Sequence, residues 1–579
     1  MTPSRTFAAS FPARPKFLLL LITVAAMLAL ATGCGGVGVS PTQAAAPAPT
    51  PPPTTTTTTP PPPQGINVVN HIIFMLQENR AFDGYFGHLP NVDGLPAGAS
   101  NKTGNGTVIN AFHLQTSCIE NADPDWLPAH GQYNILAPGS NTFMGDGFVN
   151  SGQGSAKTNV NQAGVHSLVS EVSSPTGTAT VNPKVTTNYY LFANADAWTF
   201  YDTKPLAVVS VTVTNDTITP TPVAPNITPG PGVTFTATPS TIAAGQSVTL
   251  TWNVAGAKTT MVNSRYDQMG VRAMGYYDGN DLNYYYFMAQ AFATSDRWYS
   301  PLGSNSAPNR AYLYAATSHG HVHDPGTLDS SVVPNIFQLL DAAGVSWRVY
   351  FSSDPSSPGV PHTFLTRFQP FASQHPANLV PVSQYLTDLQ NGTLAQVSFI
   401  EELPGLDEHP GSPLEGNIHG GNSIQDGAQY VSKFINAFMS SQYWKDGVFI
   451  LTFDEGGGLY DHVSPQPTVS PDGIPPSDLT PEDQQDIQPP GDFTRTGYRV
   501  PMIVVSPFTK PGYVSHTVAD FTAIDKFIET RFNLSNLTAR DKSQMDMTEF
   551  FNFTAPSTAT PPNPPAQNMN LPCNYTNLP

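Results

Sequence analysis

The sequence predicts an α/β protein, a mostly parallel sheet with helices on both faces, interrupted by an all-β insert. Three observations carry this reading. Apolar strand-type runs alternate with helical patterns along most of the chain. Between about Val160 and Val262 that texture gives way to short alternating runs rich in Thr, Val, Ser and Pro. Two strand-type runs end abruptly in adjacent polar groups, Glu78-Asn79 after HIIFMLQ and Asp454-Glu455 after VFILTF. Strands alternating with helices imply right-handed crossovers and a parallel sheet, and ligands gather at the carboxyl ends of such strands.

The first 34 residues read as a leader. Arg5, Arg14 and Lys16 precede the apolar run Phe17–Ala31, and Ala31-Thr32-Gly33-Cys34 follows. A basic start, an apolar centre and small residues before a cleavage point make a secretory signal. A cysteine directly after them predicts a lipidated Cys34, membrane anchoring and an exported protein, periplasmic, at the cell surface or secreted. Residues 35–64 are a Pro/Thr-rich linker that cannot bury apolar area and spaces the body from its anchor. Cys118 and Cys573 then remain of 3 cysteines and could pair in an oxidising compartment.

The body divides at 65–159 and 263–553, with a tail at 554–579. Its expected strands are Ile72–Leu76, Val345–Tyr350, Val397–Ile400, Val448–Phe453 and Val500–Val505. Its expected helices are Leu282–Ala293, Ile336–Ala343, Ala428–Met439 and Asp520–Phe532. The segment AYLYAA (Ala311–Ala316) is expected as a further strand.

The insert, 160–262, has sandwich composition. Pro239–Thr260 resembles the first half of a bacterial immunoglobulin-like module with Trp252 as its core tryptophan, while Ser173–Asp196 and Ala207–Thr214 resemble the second half. The halves stand in reversed order, which predicts a circularly permuted sandwich on a surface loop.

A net charge of -18 with 24 Lys+Arg argues against nucleic acid or an anionic membrane surface as an electrostatic partner. An anionic ester stays open as substrate, because a bound cation can be the largest local charge.

ENRAFDGYFG and DEGGGLYDHV resemble the two signature blocks of the bacterial phosphoesterase family of phospholipases C and acid phosphatases, a branch of the alkaline phosphatase-like superfamily. The resemblance implies an alkaline phosphatase-like fold and phosphoester hydrolysis, with a phospholipid head group among the candidate substrates. It implies a divalent metal (Ca, Mg, Zn, Mn or Fe) held by Glu78, Asn79, Asp454, Glu455 and Ser306. Hard cations take such oxygen ligands. The family hydroxyl three places before Asn-Arg falls on Ser306, implying a phosphoserine intermediate. The residues alone do not separate Ser306 from Ser300 or Ser304.

His409, in LDEHPGSP, resembles the family's Glu-His-Pro block and is the first candidate to protonate the leaving group. His130 is the second, in DPDWLPAH, where Pro124 replaces the first histidine of the family stretch. His462 reads as orienting the DEGGG loop, and His319, His321, His323 and His419 read equally as ligands or as solvated loop residues. The formylglycine motif of sulfatases is not found. The competing reading is a surface-displayed binding or adhesion protein, with the insert as its functional part.

Overall fold

The computed structural model describes residues 65–102, 108–119, 122, 124–133, 144–149, 168–184, 186–194, 205–214, 227–264, 271–353, 360–410, 423–481, 483–484 and 493–572. The expected leader with Cys34, the linker, the start of the insert at 160–167, His419 and Cys573 lie outside the described residues.

The centre of the fold is the strand His71–Gln77, β-rich in composition and buried along its length after His71. It pairs in parallel with Val397–Ile400 on one side and Gly447–Phe453 on the other. Trp347–Ser353 continues the parallel order beyond Val397–Ile400. Buried on both faces, these strands read as continuous apolar runs. The full sheet has nine strands, running from Pro361–His362 through this parallel block to Met502–Val505, Ala293–Ser295 and Tyr513–Ser515. Met502–Val505 pairs antiparallel with Gly447–Phe453, so the sheet is mixed at this side.

Helices cover both faces. Trp347 meets Phe337 of helix Ile336–Ala342 at a ring separation of 4.7 Å, and Tyr350 meets Tyr385 of helix Ser383–Asn391 at 5.3 Å. Residues three apart in a strand point to opposite faces. The strand expected at AYLYAA is instead part of helix Ser306–Ala315, eight of whose ten residues are buried. An apolar run buried all round carries no amphipathic stripe, which is why its period misled.

The insert forms two sheets around a core of its own. Thr176–Val181, Val248–Val254 and Val233–Thr238 make a three-stranded antiparallel sheet. Thr187–Ala193, Ala207–Thr214 and Thr260–Asn263 belong to a five-stranded one. Trp252 is 1% exposed and donates its indole N–H to Thr260 Oγ1 of the other sheet at 2.7 Å. Leu191, Val211 and Val262 from one sheet join Leu250 and Trp252 from the other in one apolar cluster.

Cys118 is disulfide-bonded. The neighbouring Ser117 donates its N–H to the carbonyl of Pro572, the residue before Cys573, at 2.9 Å. This ties the tail to the body.

Candidate active site

Register decides which polar groups meet. Gln77 lies opposite Phe453, so Glu78 and Asp454 leave the sheet at one level, and Asp454 N–H donates to Gln77 O at 3.0 Å. Asn79 then turns with φ +57, a conformation asparagine tolerates better than most residues. Its N–H donates to Asp454 Oδ1 at 2.9 Å. A Cβ on Gly457 would lie 2.5 Å from the Asn79 carbonyl oxygen, and Gly457 has φ +66. The glycines after Asp454-Glu455 therefore let that loop press against the Asn79 backbone.

Ser306 arrives from the other side, as the first residue of helix Ser306–Ala315. Its hydroxyl donates to Glu78 Oε2 at 3.0 Å and lies 3.2 Å from Asn79 Oδ1. The preceding turn is clamped by Asn309, whose side chain accepts from Leu302 N–H at 2.9 Å and donates to Ser304 O at 2.8 Å. Asn305 in turn donates to Asp125 Oδ1 at 2.7 Å.

One turn along the helix, Arg310 binds the carboxylates. Its guanidinium pairs with Glu78 Oε1 at 2.5 Å, Glu402 Oε2 at 2.7 Å, Glu401 Oε2 at 3.1 Å and Asp454 Oδ2 at 3.6 Å. Glu401 and Glu402 follow the strand Val397–Ile400 as Glu78-Asn79 follow theirs. Three neighbouring strands thus deliver acids to one edge. The rule applied to two of them would have found the third. Arg310 stands just before the segment that read as a strand, and no local pattern aimed its side chain at these acids.

This assembly is short of positive charge. Burial, and then the Glu78 carboxylate, hold Asp454 well above the usual carboxylate range. Burial and Asp454 do the same to Glu455. Burial and Glu402 push Glu401 up to about 7. Asp454 Oδ2 and Glu455 Oε1 are buried with no hydrogen-bond partner. Buried carboxylates in excess of their counter-charge and orphaned oxygens fit a hard cation. Glu455 divides its two oxygens, one engaged and one free of hydrogen bonds. Its Oε2 accepts from Gly457 N–H, and the trio Glu78, Asp454 and Glu455 is not among the groups of three acid or histidine ligand atoms within 4.8 Å among the described residues. Those groups are Asp83–Asp461–His462 and His113–Asp278–Asp281.

His409 lies against the same shell. Its Nε2 is 3.0 Å from Asn79 Nδ2, and its Nδ1 is 2.9 Å from Pro410 O. With Asn79 Oδ1 facing Ser306, the amide donates to Nε2, and the ring carries its proton on Nδ1. The preceding Glu408 is fully buried and accepts from Tyr285 at 2.5 Å, Tyr85 at 2.7 Å and Gln77 at 3.1 Å. Burial pushes its carboxyl up to about 7.

His130 is not hydrogen-bonded to this shell. It sits in helix Trp126–Tyr133, its ring 4.1 Å from that of Trp126 and its Nδ1 2.6 Å from Trp126 O. Burial pushes its imidazole down to about 4. The same helix borders a small cleft through Ala129 and Gln132, which Ser304 and Glu455 also line. His321 and His323 pair with Asp478 at 3.1 Å and Asp483 at 2.8 Å. His462 pairs with Asp83 at 2.7 Å.

A model of the Phosphoesterase family matches residues 207–535, more than half of the chain. The match takes in Ser306, His409, Asp454 and Glu455 and begins after the Glu78–Asn79 strand. The chain is 31% identical over 339 residues to phospholipase C B of Mycobacterium tuberculosis, covering 52% of this chain and 59% of that protein. It is 31% identical over 264 residues to non-specific phospholipase C4 of Arabidopsis thaliana, covering 43% and 44%. The chain thus spans about half the length of these curated relatives. Among solved structures, a phosphonate monoester hydrolase of Agrobacterium radiobacter aligns at 11% identity and a TM-score of 0.28, over 44% of this chain and 70% of that one. The chain belongs to the Phosphoesterase family.

Proposed function

We propose that this member of the Phosphoesterase family is an exported, metal-dependent hydrolase of phosphate esters, phospholipase C-like or acid phosphatase-like, on an alkaline phosphatase-like fold. The observation that carries the reading is Ser306, held at a helix start with its hydroxyl 3.0 Å from Glu78 Oε2, beside carboxylates that lack counter-charge. Glu78, Asn79, Asp454, Glu455 and Ser306 would hold a divalent cation, Glu455 through its unpartnered Oε1. When bound, the cation would supply positive charge against the developing charge on phosphorus and oxygen.

The chain's own residues account for the rest. Ser306 Oγ attacks phosphorus, forming the Oγ–P bond as the bond to the leaving oxygen breaks. Its proton has an acceptor in Glu78 Oε2. The positive end of the helix dipole faces the transferred group. His409, once released from Asn79, takes a proton from solvent at Nε2 and passes that proton to the leaving oxygen, which returns the ring to its neutral form. Water then cleaves the Oγ–P bond and restores the Ser306 hydroxyl. The family relatives named phospholipase C make a phospholipid head group a reasonable substrate class. Lipidated Cys34 would anchor the enzyme at a membrane, and the permuted insert is read as an immunoglobulin-like accessory domain.

The test is hydrolysis of p-nitrophenyl phosphate and p-nitrophenyl phosphorylcholine with and without chelator, with acid-quenched protein searched for phosphoserine. Chelator-sensitive turnover and a phosphoryl group on Ser306 are expected. Ser306→Ala should lower kcat by about three orders of magnitude or more. Full activity in Ser306→Ala would remove the covalent route.

A further inference from the structure

We infer that Arg310 is a positioning residue that locks the nucleophile helix to the carboxylate shell. This rests on the metal-dependent reading of the same site. Glu78 divides its two oxygens: Oε1 takes Arg310 at 2.5 Å and Oε2 takes the Ser306 hydroxyl at 3.0 Å. Arg310 and Ser306 lie one turn apart on one helix, so one carboxylate grips that helix at two points. The guanidinium also reaches the acids at the ends of the two flanking strands, Glu401 and Glu402 on one side and Asp454 on the other. One rigid fork thereby spans three adjacent strand ends.

Arg310 does not serve as a phosphate ligand. Its side chain is 7% exposed and all three of its nitrogens face carboxylates. A guanidinium keeps its charge at every working pH. A planar fork with fixed donors does this work, whereas a lysine carries the same charge at one point. Asn309, its neighbour, clamps the turn before Ser306 through Leu302 and Ser304. The Asn-Arg pair therefore fixes both the entry and the far side of the nucleophile turn.

The experiment uses the full chain with Mn²⁺ as the probe, its binding followed by electron paramagnetic resonance and folding by near-UV circular dichroism. Arg310→Lys keeps the charge and loses the fork. It should weaken Mn²⁺ binding roughly 10–100-fold and lower kcat at saturating Mn²⁺ by a similar factor, with KM little changed. Arg310→Met should lose at least as much; if it does not fold, Arg310→Lys alone decides. Tighter Mn²⁺ binding with kcat kept in Arg310→Met would make the arginine a counter-charge only and overturn the inference. So would variants equal to the wild type. A wild-type protein that neither binds Mn²⁺ nor hydrolyses the ester defeats the metal-dependent reading itself.

Discussion

Two buried arginines organise the two signature segments, and they do so differently. Arg499 pairs with Asp461 at 2.9 Å and Asp83 at 2.8 Å, and the other oxygen of Asp83 takes His462 Nδ1 at 2.7 Å. Its remaining donors go to the carbonyls of Asp93 and Asp296. Around Arg310 stand four carboxylates, and neither Asp454 Oδ2, 3.6 Å from the guanidinium, nor Oε1 of the adjacent Glu455 has a hydrogen bond. Both set an arginine among buried carboxylates, and Asp83, Asp461 and His462 even lie close enough to hold a cation. Charge balance separates the two. The Arg499 cluster is satisfied from within and fastens ENRAFD to LYDHV, whereas the Arg310 cluster leaves buried carboxyl oxygens without a hydrogen bond.

Breaking the balanced cluster should have the largest effect on folding. Arg499→Met leaves Asp83 and Asp461 buried without their partner. Thermal unfolding should show a loss of roughly 3–5 kcal/mol, with kcat per folded molecule little changed. An unchanged Tm with lost activity would move this cluster into the catalytic machinery.

The same kind of change in the other cluster should act in the opposite sense. Asp454→Asn should weaken metal affinity and activity by about 10–100-fold. Yet it should leave the chelated protein as stable as the wild type or more so, because it removes a buried negative charge. A chelated variant destabilised as strongly as Arg499→Met would erase the contrast.

An effect seen only as pH is changed concerns Glu408, beneath His409. Its folded-state pKa, about 7, lies above the ordinary value of 4.5. The folded state therefore binds more protons between those values, and stability present below about pH 4.5 is lost as pH rises through about 7. Glu408→Gln cannot titrate. The wild type should lose roughly 3 kcal/mol relative to it between pH 4.5 and 7.5, read from Tm at the two ends. Parallel curves would mean that the tyrosines hold a carboxylate whose charge does not change.

Much of the site was legible because strand ends are local features. The runs before Glu78 and Asp454 are apolar, and their polar pairs mark the ends directly. The alternation of strands and helices was legible for the same reason: each element's pattern is complete within a dozen residues. So was the change of texture at the insert, whose Trp252 lies between two sheets.

What the tertiary structure alone decided is which charges meet. Arg310 reaches Glu78 across 232 residues and Arg499 reaches Asp83 across 416. Pairings at such separations follow from register and crossover, which no local pattern encodes. The helix at Ala311–Ala315 was decided the same way, since burial on all sides removes the period that distinguishes helix from strand. Glu455 shows the same limit. Beside Asp454 in the chain it reads as a ligand; the fold gives its Oε2 the Gly457 N–H and leaves its Oε1 buried without a hydrogen bond. Sequence by itself determined where the acids stand; folding decided which of them are balanced, because electrostatic balance depends on distance in space and not along the chain.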